Sequence, residues 1–305
     1  MTHEVFDARG GDGLVRRGVL TIPDGAPPRA ALLLITAGVK YRTGPSQLYV
    51  AIARSLAGSG FATLRIDAAG VGESDGLLEA GPSHLIFQAA ERGRFVPDVE
   101  LAFQALASRL PPQARIFVGG LCGGGLTAQL AAAKIKDRRL AGVLSFNIAI
   151  RHTPTPGRRP APVASEAKAT LASYPKKLLK ARTWKRLVSG AVRVGHVKRT
   201  LAAAAGRSHT AEDSGVNPLF LPSFTSLLKR KVPQLLIFSG NDDRWAPFND
   251  LILGPVLKDA REGPAHAVKF IADADHHLCL PEWRDEAFGW IADWIRDVPT
   301  GRSGA

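Results

Sequence analysis

Cysteine is scarce in this sequence, with only Cys122 and Cys279 among 305 residues. Two cysteines build no disulfide framework. Long hydrophobic runs are missing too. No apolar stretch approaches the roughly 18 residues that span a bilayer, so no transmembrane helix is expected. The start, Met1 to Asp7, has no basic stretch leading into an apolar core, unlike a secretory signal. A cytoplasmic location is therefore expected. Acidic residues are few in one region. Between 151 and 231, Glu166, Glu212 and Asp213 stand against 17 Lys and Arg, a net of +14. The rest of the chain sums to −1, within a total of +13. Aromatics in that basic region are sparse (Tyr174, Trp184, Phe220 and Phe224) and form no stacking platform. A nucleic-acid binder is disfavoured on that ground. The basic segment suits a phosphate-bearing substrate, an acidic carrier protein or an anionic membrane surface.

What is present is a 45% hydrophobic chain with alternating strand and helix signals. Residues 31–36 and 234–238 are continuous apolar runs, as in parallel strands covered on both faces. Residues 14–22, 62–67, 142–147 and 267–271 read as further strands. Helical spacing appears at 47–57, 96–110 and 282–296. The pattern predicts an α/β fold with a mostly parallel central sheet and helices on both faces. Residues 150–231 interrupt this rhythm with a Pro/Arg-rich stretch and short helical pieces. The expected organisation is a core of 1–149 and 232–298, a basic helical lid at 150–231, and a frayed tail at 299–305. Gly70-Val71-Gly72 lacks the third glycine and the following helix of a dinucleotide fingerprint. No cofactor and no metal site is expected.

The chain is organised around residues 115–126. A short buried strand ends in Gly120-Leu121-Cys122-Gly123-Gly124, and a helix follows. This is the G-x-S-x-G nucleophile elbow with Cys in the Ser position. The turn needs glycines because strand and helix crowd the nucleophile. The helix N-terminus favours a thiolate and an oxyanion. A plain glycine-rich turn around a structural cysteine is the alternative. An elbow of this kind implies an α/β-hydrolase fold, in which acid and base follow the nucleophile in the order acid, then His. Asp242 and Asp243 follow strand 234–238, and Gly-x-x-Asp spacing with Pro247 four residues on selects Asp243. His276 and His277 follow strand 267–271, and Ala274-Asp275-His276 favours His276. The oxyanion needs two backbone donors, expected from Gly123 and from Val39 in the loop after strand 31–36.

The chain resembles the exosortase A system-associated hydrolases of the first type and the serine aminopeptidase S33-like hydrolases around them. The resemblance rests on Gly38-Val-Lys-Tyr-Arg-Thr-Gly44, Leu64 to Gly76, Gly120 to Gly124, Thr183 to Gly190 and Ala274-Asp-His276. It covers most of residues 30–290. It implies a cysteine nucleophile at the elbow and a setting near exopolysaccharide assembly. Where those proteins usually carry Asp after the cysteine, this chain has Gly123.

The expected activity is hydrolysis of an ester or thioester by a Cys122–His276–Asp243 triad through an acyl-thioenzyme. The same residues could instead pass the acyl group from coenzyme A or a carrier protein to an amine, thiol or hydroxyl. A catalytically silent binding protein on the same fold is the rival from another class. Lys176, Lys177, Lys180, Lys185 and Arg186 are the expected contacts for an anionic donor, with Trp184 beside the acyl chain.

Overall fold

The structure is a computed structural model that describes residues 1–36, 38–156, 162–169 and 215–299. The described residues fall into two compact units. One comprises Met1–Ile150, Asn217–Trp245 and the chain from Arg261 onward; the other comprises Arg151–Val216 and Ala246–Ala260.

The first unit is built on one nine-stranded sheet. Its strands are β1 (Thr2–Arg9), β2 (Val15–Ile22), β3 (Ala30–Ile35), β4 (Ala62–Ile66), β5 (Arg115–Leu121), β6 (Leu140–Phe146), β7 (Gln234–Ser239), β8 (Glu262–Gly263) and β9 (His266–Ile271). Their spatial order is β1-β2-β4-β3-β5-β6-β7-β9-β8. The six strands from β4 to β9 in that order run parallel, while β1, β2 and β8 are antiparallel at the two edges. The sequence order reverses beside β3, so the carboxyl ends of β3 and β5 flank a switch point, where open α/β sheets bind ligands.

Every residue of β3, β4 and β7 is buried, as continuous apolar runs require of strands covered on both sides. On one face, α1 (Leu48–Gly58) and α6 (Pro281–Asp297) pack Ile52, Leu56, Phe288, Ile291 and Ile295 against Leu32, Leu34, Phe117, Leu144 and Ile237. The other helices are α2 (Ser83–Glu91), α3 (Val96–Arg109), α4 (Gly123–Lys134) and α5 (Phe220–Lys229). The central one, α4, contacts β5 and β6 and is flanked by α2, α3 and α5. It is buried from Gly124 through Ala132, so it shows no amphipathic stripe. Its C-terminal carbonyls are capped by Arg230, whose guanidinium donates to the carbonyls of Ala132, Ala133 and Ile135 at 3.1, 3.0 and 2.7 Å.

Phe220–Lys229, read within the basic insertion, belongs to this unit and buries Phe220, Phe224 and Leu227. The hairpin strand β1 and the helix α2 have no counterpart in the sequence reading.

In the second unit, Arg151 and Val216 form an antiparallel bridge where the chain leaves and returns. Arg151 pairs with Glu166 at 3.1 Å, and the Ser165 N–H donates to Asp250 at 2.8 Å. Residues 37, 157–161, 170–214 and 300–305 lie outside the described residues. Lys176, Lys177, Lys180, Trp184, Lys185 and Arg186 therefore lie outside them, as do most of the lid and nearly all of the tail.

Candidate active site

The elbow is where local sequence determines geometry most tightly. Cys122 sits between the last residue of β5 and the first of α4, at φ 56° and ψ −117°. That region is sparsely populated for any residue with a Cβ and costs on the order of 1–3 kcal/mol. The surroundings enforce it. The Cys122 N–H donates to the Phe146 carbonyl at 2.8 Å, and the Cys122 carbonyl accepts the Leu126 N–H at 3.1 Å. A Cβ on Gly120 would lie 2.6 Å from the Gly124 carbonyl carbon, and one on Gly124 would lie 2.5 Å from the Thr36 carbonyl oxygen. Both contacts are with backbone, so neither glycine tolerates a side chain. Beneath the turn, the buried Tyr49 hydroxyl accepts the Leu121 N–H at 2.6 Å.

Cys122 is half-buried, and His276 is the strongest influence lowering the pKa of its thiol. The His276 ring nitrogen Nδ1 is hydrogen-bonded to Asp242 Oδ2. This corrects the spacing argument that selected Asp243. Asp242 has a side chain 1% exposed, whereas that of Asp243 is 86% exposed and pairs with Arg244 at 2.7 Å. The loop after β7 turns one residue earlier than the spacing rule assumes. Asn241 explains why: its N–H donates to the Ala274 carbonyl at 3.0 Å and its Nδ2 to the Asp273 carbonyl at 2.8 Å. The two loops are laced together immediately before Asp242 and His276.

His276 itself is aimed by its own turn. Asp275 Oδ1 accepts the N–H groups of His277 and Cys279 at 2.9 and 3.1 Å. Asn147, at the end of β6, donates to the His276 carbonyl at 3.1 Å and to Ser239 Oγ at 2.9 Å, and accepts the Ser239 N–H at 2.8 Å. His277 meets His276 edge to face, with ring centroids 5.0 Å apart. Burial and the neighbouring His276 push its pKa down.

The electrostatics follow from the contacts. Burial penalises the charged imidazolium, but the hydrogen bonds to Asp242 and Cys122 outweigh it and raise the His276 pKa to about 9. Burial likewise disfavours ionised Asp242, yet the bond to His276 and the nearby Arg244 hold its pKa at about 2. Burial would push the Cys122 thiol up, and His276 and Arg244 reverse this and hold it below the ordinary thiol value.

The loop after β3 meets the elbow through Gly38. A Cβ on Gly123 would lie 3.5 Å from Gly38 Cα and 3.7 Å from its nitrogen. Val39, half-buried, follows Gly38 in that loop. The loop's far side is fixed by Asp67, fully buried, which accepts the Arg42 N–H at 2.6 Å and pairs with the Arg42 guanidinium. Arg42 also binds Glu73. As the first residue of α4, Gly123 has an N–H with no intrahelical partner. The site thus joins a strained thiol, a histidine with a carboxylate behind it, and a free helix N-terminus. Sequence reasoning did not find Arg244, Asn147 or Tyr49. Asn147 and Tyr49 act through the backbone of other residues, and no motif records such a role.

A strand-turn-helix with a strained cysteine at its apex, and a histidine after the last long parallel strand, is the arrangement of an α/β hydrolase. The serine aminopeptidase S33 family profile matches residues 27–206, and the chain belongs to that family. No curated protein sequence matches it. Among solved structures, an esterase of Pyrococcus furiosus superposes with a TM-score of 0.59 at 15% identity, covering 98% of this chain and 92% of its own. DcsB, in complex with its substrate analogue, gives 0.56 at 18%, covering 98% and 100%. Est1E from Butyrivibrio proteoclasticus, with ferulic acid bound, gives 0.56 at 14%, covering 95% and 98%. At these identities the likeness is one of fold. The chain is therefore a hydrolase-type α/β protein. No helix among the described residues is long and apolar enough to cross a membrane.

Proposed function

We propose that the protein is a cysteine acyl hydrolase acting on an ester or thioester, with Cys122 as nucleophile, His276 as proton carrier and Asp242 as the group that orients it. The observation supporting this reading is a sulfur at a strained elbow whose pKa is lowered mainly by His276, a histidine whose Nδ1 is held by a buried carboxylate. His276 takes the sulfur's proton, and the sulfur forms a bond to the carbonyl carbon. The electron pair of the C=O bond moves to oxygen, which the N–H groups of Gly123 and Val39 receive. As the carbonyl re-forms, the bond to the leaving oxygen or sulfur breaks and that atom takes the proton from His276. Water then adds to the acyl-thioenzyme, giving its proton to His276, and Cys122 departs with the proton returned. Asp242 keeps the imidazole in one orientation and balances the imidazolium.

The donor is proposed to be anionic, coenzyme A or an acidic acyl carrier protein, because the +14 of residues 151–231 sits in a chain otherwise near neutrality. The test is intact-protein mass spectrometry after exposure to a panel of aryl esters and acyl-thioesters, with and without amine and thiol acceptors. An acyl mass on the wild type and none on Cys122→Ala supports the reading. Acyl-acceptor product in place of free acid would reassign the reaction to acyl transfer. No adduct and no product from any donor would leave the fold as a binding scaffold.

A further inference from the structure

The loop after β3, which carries Val39, is held from its flanks. On one side Thr36 Oγ1 donates to the Gly38 carbonyl at 3.3 Å; on the other, the Thr43 carbonyl accepts the Tyr49 N–H of α1 at 3.1 Å. Val39 and Lys40 make no backbone hydrogen bond among the described residues. The strongest hold on the loop is Asp67, the residue immediately after β4. Its side chain is fully buried and grips Arg42 twice: Oδ1 accepts the Arg42 N–H at 2.6 Å, and Oδ2 binds the guanidinium. The second arm of that guanidinium binds Glu73, whose own N–H donates to Asp67 Oδ2 at 3.3 Å. The carboxylate is tightly enclosed, for a Cβ on Gly72 would overlap it. Ser74 Oγ fixes the backbone behind it, donating to the Asp67 carbonyl at 2.7 Å.

A buried ion pair does little for stability, since desolvating both charges offsets their attraction; fixing a geometry is a better account of it. Here the main chain and the side chain of one residue bind one carboxylate. That sets both the backbone path at Arg42 and the plane of its guanidinium. Gly38, the neighbour of Val39, packs against Gly123 at the elbow. We propose that Asp67 and Arg42 are positioning residues for the oxyanion hole: they clamp the loop so that the Val39 N–H stands beside that of Gly123 before substrate arrives. This rests on the reading of Cys122 as nucleophile and Val39 as second oxyanion donor. A preorganised donor acts only where negative charge develops on oxygen. The clamp therefore serves attack on a carbonyl, and is idle in any reaction of the same sulfur that forms no oxyanion.

Two probes separate these cases. p-Nitrophenyl acetate acetylates a thiolate through a tetrahedral oxyanion and releases p-nitrophenolate. Iodoacetamide alkylates it by displacing iodide, with no oxyanion. Both rates are followed at Cys122 in the full chain by peptide mass spectrometry after short, quenched exposures, with Cys279 as internal reference. In the wild type the ratio of acetylation to alkylation should be higher at Cys122 than at Cys279. In Arg42→Gln and in Asp67→Asn, acetylation of Cys122 should slow by about 10 to 100-fold, somewhat less than the loss of a donor outright, while alkylation changes by less than about threefold. A general loosening of the site would slow both reactions together. Parallel losses, or unchanged acetylation in the folded variants, overturn the proposal. Should Asp67→Asn not fold, Arg42→Gln decides alone, its side chain being partly exposed. Should neither fold, a wild-type ratio at Cys122 no higher than at Cys279 overturns the proposal. Normal wild-type acetylation that ignores both substitutions removes the clamp and leaves the nucleophile standing, whereas no acetyl group on wild-type Cys122 removes both.

Discussion

Exchanging either of two adjacent aspartates for asparagine separates the observed geometry from the sequence rule. Asp242→Asn preserves shape but removes the charge behind His276 Nδ1 and allows the amide to present the wrong group. The His276 pKa of about 9, against 6.5 for an unperturbed histidine, corresponds to on the order of 3 kcal/mol favouring the imidazolium. The hydrogen bond to Asp242 is the largest contribution raising it, ahead of that to Cys122. Losing most of that support in a transition state that needs a charged imidazole predicts a fall in kcat/KM of about 10² to 10⁴-fold. Asp243→Asn removes a carboxylate whose side chain is 86% exposed and which pairs with Arg244. It should change kcat/KM by less than about threefold. The assay is steady-state hydrolysis of the best donor found in the acyl-enzyme screen, at fixed ionic strength, with circular dichroism confirming that both variants fold. A large loss in Asp243→Asn with little loss in Asp242→Asn would refute the reasoning and restore the spacing rule.

Strain at the elbow gives a stability prediction: Cys122→Gly should be more stable than Cys122→Ala by about 1 kcal/mol in urea unfolding, both being inactive, since only glycine enters φ 56°, ψ −117° without cost. Equal stability would mean the backbone relaxes there. Asp242, held at about 2 instead of 3.8, contributes stability that is complete above pH 4 and lost as pH falls through about 2, on the order of 2 kcal/mol. Unfolding free energies measured from pH 5 to 2 should therefore fall less steeply for Asp242→Asn than for the wild type. The basic segment makes a kinetic prediction: kcat/KM for one acyl group on coenzyme A or a carrier protein should drop steeply with salt, while an uncharged thioester of the same acyl group barely responds. A flat response for all donors would remove the anionic-donor proposal.

Much of the fold was legible because apolar periodicity and burial agree. Runs such as Leu32–Ile35 and Leu235–Phe238 have no polar face, and both are buried on both sides. The amphipathic helices α1, α3 and α6 begin and end within a residue or two of their sequence signals. β1 was not legible. Of its eight residues only Phe6 and Ala8 are buried, so its alternation is carried by two side chains among charged neighbours. α5 was hidden for a different reason: Phe220, Phe224 and Leu227 have helical spacing, but they follow a long basic stretch whose composition masked the change.

The site shows where counting residues stops working. Chain order located the elbow, the acid loop and the histidine loop, because parallel topology puts all three at strand ends. Choosing between Asp242 and Asp243 needs the path of the backbone after β7, and that path is set by the neighbouring strand. The Gly240 N–H donates to the Ile271 carbonyl at 2.8 Å, and a Cβ at 240 would overlap the Ala272 carbonyl oxygen. The chain is thus pressed against β9 until Asn241, also tied to that loop, and the next side chain, Asp242, faces inward towards His276. One residue later the backbone has turned outward, and Asp243 points to solvent. The same turn accounts for Arg244. Its N–H donates back to Asp242 Oδ1 at 2.8 Å, and its side chain returns to bind both Asp242 and Asp243. A single contact between two strand ends therefore chooses the carboxylate and delivers the cation, and no local sequence window contains both sides of it.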